Sequence, residues 1–461
     1  MYYHLYDLQH AILTPARIGA ELTRTLYRHP ANPLSYSHHG RTIAAAAELF
    51  ERATKRFGKP DFGLSQSVID GKPVDVEEVT ILEKPFCTLL NFKRKTKRKD
   101  PSVLLVAPLS GHFATLLRGT VEALLPHHNV YITDWTDARQ VPLSEGYFSL
   151  DDYISYLKEF MSLLGPETHI IGVCQPAVPV LAAVSLMASE DNPNQPLTMT
   201  LMGGPIDTRV SKTQVTELAE NRPLSWFENS VVMEVPFYYP GAYRNVYPGF
   251  IQLSGFMSMN LDRHVGSHMN FYQHLVIGDG DSAEAHRKFY NEYLSVMDID
   301  APFYLQTVEV VFQKHLLPKG EMTWTDPLTG IKHPVRPQDI KHTALLTVEG
   351  ENDDISALGQ TTAAHDLCKN LALSKQYHHF QEDVGHYGIF NGRRWRQLIM
   401  PRLRSFIRKF DKQTDPVPVS DLKKSIEAMP DQWDLNKYGV DVIKKWKAQK
   451  DKRKGAEKEK A

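Results

Sequence analysis

Apolar residues recur along this chain in two rhythms. In residues 2–27, Leu5, Leu8, Ile12, Ile18, Leu22 and Leu26 fall at roughly helical spacing, which predicts one amphipathic helix. Its apolar face either packs on the body of the protein or adheres to something apolar, and the larger weight goes to packing. Residues 41–57 predict a second helix, and residues 1–100 together read as a helical N-terminal extension with an irregular end. From Ser102 the rhythm changes. SVLLVAP (102–108), NVYITDW (129–135), THIIGVC (168–174) and LTMTLMGGP (197–205) are short apolar runs of the kind that parallel strands buried on both faces show. Helical stretches separate them, from Gly111 to Leu125, Ser149 to Leu164, and Pro176 to Ala188. Strands alternating with helices of ten residues or more predict βαβ units and a parallel sheet.

The alternation stops over residues 206–341, which are rich in aromatics and Met (WFENSVVMEVPFYYPGAY, GFIQLSGFMSMN). An insertion at this place in an α/β sheet is where a lid or substrate-facing cap sits. The rhythm resumes over 342–410 with HTALLTVEG, a helix expected over residues 361–373, the run QYHHFQEDV, and a last helix over residues 393–410. The expected fold class is therefore α/β: a mostly parallel sheet flanked by helices, with core parts 101–205 and 342–410 split by the cap. Residues 411–461 read as a charged tail, with nine Lys or Arg against four acids from Asp441 onward.

Composition narrows the function. Lys plus Arg number 53 against 54 Asp plus Glu, so no net basic charge recruits nucleic acid. The basic run NFKRKTKRKD (91–100) reads as a solvated loop, with contact to an anionic surface as the minor reading. Three cysteines in 461 residues make no disulfide scaffold and point to a reducing compartment, the cytoplasm. No secretory leader opens the chain and no apolar run is long enough to span a bilayer. No CxxC, P-loop or GxGxxG is present, so neither metal nor cofactor is expected.

The chemistry concentrates at Gly172-Val173-Cys174-Gln175-Pro176. A β-branched strand delivers a thiol into a sharp turn, and a helix starts at once. Such a turn exposes a nucleophile beside the positive end of the helix dipole, which favours the thiolate. The competing reading is a buried structural cysteine. A thiol nucleophile needs a base and the base needs an orienting acid. Both follow in the expected order at strand ends: Asp353, with Asp354 a close second, and then His386 in Gly385-His386-Tyr387-Gly388. The oxyanion donors expected are the backbone amide of Gln175 and that of Ser110 or Leu109, with Gly111 letting the backbone approach substrate.

Several longer stretches resemble one family. Residues 172–188 (GVCQPAVPVLAAVSLMA), 107–118 (APLSGHFATLLR), the YITDW strand end at 131–135 and VGHYG at 384–388 closely resemble intracellular polyhydroxyalkanoate, that is poly(3-hydroxybutyrate), depolymerases. The likeness runs from the first residues to about Phe410. It implies an α/β-hydrolase fold, a Cys174–Asp353–His386 triad and hydrolysis of amorphous polyester in cytoplasmic granules to 3-hydroxybutyrate and oligomers. The implied partners are the polymer and the granule surface, with homo-oligomerisation left open. Related polyester synthases carry Gly-x-Cys-x-Gly-Gly. Here Gln-Pro follows Cys174, which favours the depolymerase over a synthase-like acyltransferase or a non-catalytic granule-binding protein.

Overall fold

In a computed structural model, which describes residues 2–411, 429–439 and 441–443, the apolar runs become the centre of one sheet. Its strands are β1 (Gln66–Ile69), β2 (Lys72–Lys84), β3 (Cys87–Arg94), β4 (Ser102–Val106), β5 (Asn129–Trp135), β6 (Thr168–Val173) and β7 (Thr198–Met202). After an insertion holding the short strands β8 (Met233–Glu234), β9 (Asn245–Tyr247), β10 (Ile299–Asp300), β11 (Thr323–Thr325) and β12 (Lys332–Pro334), the sheet continues with β13 (Ala344–Gly350), β14 (Gln376–Gln381) and β15 (Asp431–Gln432). The spatial order is β1-β2-β3-β5-β4-β6-β7-β13-β14-β15. From β5 to β14 every pairing is parallel, and β1–β3 and β15 join antiparallel at the two edges. All six residues of β6 and all seven of β13 are buried, which is why these strands read as unbroken apolar runs.

Helices α1 (Tyr2–Arg28) and α2 (His38–Thr54) precede the sheet, and α3 (Arg118–Leu124), α4 (Leu150–Leu164) and α5 (Ala177–Ser189) connect its parallel strands. The central helix α5 buries every residue except its last, so it carries almost no amphipathic signature. A Ser149 capping box with Asp152 starts α4, and Gly165 ends it, the N-cap and C-terminal signals a helix of this length uses.

Four expectations need correction. Residues 66–94 are not an irregular end of a helical extension: they form β1–β3 and extend the sheet through the β3–β5 pairing. Only Val76 of the thirteen residues of β2 is buried, so the strand lacks the apolar alternation that would announce it. The helix expected over 361–373 shrinks to α13 (Ala363–Leu367), because the Glu349 carboxylate takes the Gly359, Thr361 and Thr362 amides into a turn. The charged tail is not wholly a tail. β15 pairs with Tyr377 and His378, and Trp433 stacks on His365 at 4.1 Å; residues beyond 443 lie outside the described part. The basic run is also divided, since Arg94 ends β3 and pairs with Asp100 at 2.9 Å, both side chains buried.

The insertion between β7 and β13 is mainly helical: α6 (Gln214–Asn221), α7 (Leu224–Val231), α8 (Gly249–Met259), α9 (Leu261–Ile277), α10 (Gly280–Tyr293), α11 (Ala301–Thr307) and α12 (Leu316–Lys319). Within it, Arg244 and Asp300 form a fully buried ion pair at 3.1 Å whose further hydrogen bonds reach the core. Asp300 also accepts the Phe148 amide at 2.6 Å, and Arg244 donates to the Val141 carbonyl. The last helices are α14 (Gly392–Arg394), a π-helical turn over Trp395–Ile399, and α15 (Met400–Phe410).

Beneath the β13–β14 edge, the Thr347 hydroxyl bridges His365 Nε2 and His378 Nδ1 at 2.9 Å each. Burial lowers all three histidines of this edge: His365 to about 3, His379 to about 4, and His378 well below the ordinary value. Between the unfolded value of 6.5 and these folded values, the unfolded chain binds more protons than the native one. The stability they confer is therefore full above pH 6.5 and drains as pH falls, each site contributing at most about 1.4 kcal/mol per pH unit. Thermal melts should show Tm falling steadily from pH 7 to pH 5; a flat Tm over that interval would contradict the neutral histidine edge.

Candidate active site

Three strand ends converge. At the end of β6, Cys174 adopts a left-handed backbone with φ 69°, a strained conformation for a non-glycine residue. Its amide donates to the Met202 carbonyl at 2.7 Å, and its carbonyl accepts from Ala177 at 3.1 Å. The turn thus lifts the side chain off the sheet at the start of α5, as the Gly-x-Cys spacing suggested. Tight packing makes it possible. A Cβ on Gly172 would lie 3.2 Å from Val180 Cγ2, and one on Gly204 only 2.0 Å from Ala177 Cβ and 2.9 Å from the Cys174 carbonyl oxygen.

At the end of β13, Asp353 is buried, and its Oδ1 accepts the amides of Ile355 at 3.0 Å and Ser356 at 2.8 Å. Its Oδ2 lies 2.8 Å from His386 Nδ1. Asp354 points elsewhere, accepting from the Asn260 side chain at 3.1 Å, so geometry separates the two candidates. His386 follows β14 in a short 3-10 turn, buried, with its ring edge-on to Tyr387 and Phe390. Burial alone would push the His386 pKa down. The Asp353 carboxylate and then Cys174, each by charge and by hydrogen bond, outweigh burial and hold the pKa well above its ordinary value. The arrangement therefore favours the protonated imidazole at His386.

The loop after β4 completes one wall. The Leu109 amide donates to Gln175 Oε1 at 3.3 Å, which ties it to the residue following Cys174. Ser110, Leu109 and Gln175 all line the cavity that contains Cys174 and His386. Gly111 meets the insertion. Its φ is 102°, a Cβ there would fall 2.4 Å from Gln252 Oε1, and the Gly111 carbonyl accepts from Met297 at 2.7 Å.

The cavity has a volume of about 490 Å³, within the range of small-molecule sites. Its walls divide the aromatic, Met-rich segment. Phe227, Tyr247, Phe256 and Met259 face the cavity, as do Phe303 and Tyr304 further on, whereas Phe237, Tyr238 and Tyr243 stand exposed. The His264 ring meets Tyr290 edge-on and the His268 ring lies tilted against it; among the described residues no group of three or more His, Cys, Asp or Glu is placed to hold a metal ion. No helix among them is long and apolar enough to cross a membrane.

Gly203 went unnoticed in the sequence, although Gly-Gly-Pro at a strand end was its signal. Its φ is 55°, and a Cβ would sit 2.4 Å from Ile389 Cδ1, 3.2 Å from Asp353 Oδ2 and 3.4 Å from His386 Cε1. Gly203→Ala should displace the hydrogen-bonded Asp353–His386 pair. Misplacements near 1 Å cost about 100-fold in rate, so steady-state kinetics should show kcat falling by about that factor with the fold retained. An unchanged kcat would mean that the pair tolerates the added methyl.

Sheet order, strained strand-to-helix turn and the convergence of the β6, β13 and β14 ends define the class: the molecule has the α/β-hydrolase fold. Within that class, residues 203–411 match the family model described as PHB de-polymerase C-terminus. No curated protein matches the chain. Similar solved structures include a thermophilic esterase from Thermogutta terrifontis (13% identity, 73% of this chain and 100% of that one, TM-score 0.38). A 2-hydroxy-6-oxo-6-phenylhexa-2,4-dienoate hydrolase from Rhodococcus sp. strain RHA1 aligns at 12% identity over 73% of this chain and 99% of its own, TM-score 0.39. A hydrolase from Pseudomonas aeruginosa PA01 aligns at 11% over 72% and 98%, TM-score 0.41.

Proposed function

We propose that the protein hydrolyses the ester bonds of amorphous poly(3-hydroxybutyrate) to 3-hydroxybutyrate and its oligomers, using Cys174 as nucleophile. The observation that carries this reading is the Asp353–His386–Cys174 alignment, which opens into a cavity walled by the segment matching the depolymerase family. His386, oriented by Asp353, holds the proton of Cys174. The thiolate attacks an ester carbonyl of the polymer, and the amides of Gln175 and of Leu109 or Ser110 receive the charge that develops on its oxygen. The C–O bond breaks, the alcohol end leaves with the proton from His386, and the acyl group stays on sulfur as a thioester. His386 then takes a proton from water, hydroxide cleaves the thioester, and the thiolate is restored. Two easier steps replace one difficult step. The largely apolar walls of the cavity strengthen each of these charge interactions.

The substrate places the enzyme at the surface of native granules in the cytoplasm, and no cofactor enters the scheme. Release of 3-hydroxybutyrate from native amorphous granules, with crystalline polymer as control, tests the proposal. Release from amorphous material alone supports it. No release, together with CoA liberation and polymer growth from 3-hydroxybutyryl-CoA, would replace it with the synthase reaction.

A further inference from the structure

Polar groups are few on the wall that the insertion adds to the cavity, and Gln252 and Ser258 spend theirs inside the chain. Gln252 Nε2 donates to the Tyr247 carbonyl at 2.9 Å and the Ser258 hydroxyl to the Gly255 carbonyl at 2.8 Å. Two tyrosines differ. Tyr247 ends β9, and its partner in the strand register is Ile299 of β10. Helix α11 follows β10 at once and carries Tyr304, so the two rings lie 4.1 Å apart, tilted by 32°. Both residues border the cavity. Thr307, one turn beyond Tyr304 on α11, borders it too and keeps a buried hydroxyl with no hydrogen-bond partner. A threonine inside a helix can bond back to the carbonyl four residues earlier, and buried polar groups are rarely left unmet.

Hydrogen bonding between the two tyrosine hydroxyls has a direction. It favours the phenolate of Tyr247 and disfavours that of Tyr304, as it must when Tyr304 donates and Tyr247 accepts. The Tyr304 proton is therefore engaged, while among the described residues the Tyr247 hydroxyl makes no other hydrogen bond. Burial pushes both hydroxyls up, Tyr247 to about 12, so both stay protonated near neutral pH. The insertion thus presents one fixed O–H donor in a largely apolar wall.

A polyester chain complements this chemistry: it carries a carbonyl acceptor in every repeat unit and no donor except at its hydroxyl end. The cavity takes in more than one unit. At roughly 30 Å³ per water-sized group, the six heavy atoms of one 3-hydroxybutyrate unit fill less than half of about 490 Å³. A second carbonyl therefore enters with the scissile one, and without a donor it would give up its hydration uncompensated. Building on the ester hydrolysis proposed above, we propose that Tyr247, positioned by Tyr304, donates a hydrogen bond to an ester carbonyl of the polymer chain other than the one Cys174 attacks. The contact makes the site selective for oligoesters over simple esters, because a site built around a hydrogen bond rejects the analogue that lacks it.

Isothermal titration calorimetry on the full chain tests the contact apart from the chemistry. Cys174→Ala should bind a capped trimer of 3-hydroxybutyrate about tenfold more tightly than Cys174→Ala/Tyr247→Phe, the effect of one hydrogen bond to a buried carbonyl. With Cys174 in place, Tyr247→Phe should lower kcat/KM for the trimer about tenfold more than for p-nitrophenyl acetate, which has no second carbonyl. Tyr304→Phe should act in the same direction through KM rather than kcat. The double variant Tyr247→Phe/Tyr304→Phe should lose no more than Tyr247→Phe, because the two hydroxyls work as one unit. Phenylalanine keeps each ring, so matching melting curves will separate a lost hydrogen bond from a lost fold. Equal trimer affinity with and without the Tyr247 hydroxyl, or equal losses on both esters, would overturn the subsite and leave the hydrolysis standing. Additive losses in the double variant would overturn the positioning by Tyr304. A trimer that binds through Tyr247 but is never cleaved would overturn the hydrolysis and leave an ester-binding site, and one that neither binds nor reacts would sink both.

Discussion

Cys174→Ala should reduce kcat for ester cleavage by about 10⁶-fold, the scale at which a catalytic unit fails when its nucleophile is removed. Alanine keeps the cavity, the Asp353–His386 pair and the oxyanion amides, so the residual rate reports on those alone. The backbone should tolerate the change, because cysteine and alanine share a Cβ and the strain at φ 69° is already present in the parent. Rapid mixing with a chromogenic short-chain ester should show a burst in the parent and none in the variant. Mass spectrometry of the quenched parent should place one acyl group on the peptide carrying Cys174. A variant that retains a tenth of the parent rate would exclude the thiol as nucleophile.

The second large effect separates neighbouring carboxylates. Asp353→Asn should lower kcat by about 10³ to 10⁴, the cost of leaving a catalytic histidine without its orienting charge. Asp354→Asn should change it little, since Asp354 meets Asn260 rather than His386. A pH profile adds a signature. In the parent, Asp353 and Cys174 hold the His386 pKa above its ordinary value against burial. Without the carboxylate burial prevails, the imidazolium is lost at lower pH, and the alkaline limb of kcat should move down. Equal losses at both positions, or an unmoved limb in Asp353→Asn, would contradict the triad geometry.

Cys174, Asp353 and His386, the proposed nucleophile, acid and base, were legible because each follows the end of an apolar run, where local sequence determines local structure. Val173-Cys174-Gln175-Pro176 writes strand, turn and helix start in four residues. What lay beyond reading depends on contacts between distant segments. Gly203 matters because Ile389, Asp353 and His386 close around it, and no spacing within its own strand records that. Gly111 shows the same limit, its function being to meet Gln252 of the insertion. In β2, exposure of most residues erased the alternation that strand reading needs. For α1, periodicity gave the apolar stripe but not the direction it faces. Ion pairs on the opposite side turned it outward.

The brief β15 strand bears on how the molecule behaves in a crowded solution. Parallel sheets end in strands whose outer amides and carbonyls can template a neighbouring chain. At β14 that position is taken: residues 431–432 pair with Tyr377 and His378, the Trp433 amide donates to the Gln376 carbonyl at 2.9 Å, and the Trp433 ring lies over His365. The C-terminal segment therefore acts as a guard on the open side of the sheet. A chain cut before Met429 should keep its triad yet lose shelf life, turning turbid on storage as bare β14 edges find one another.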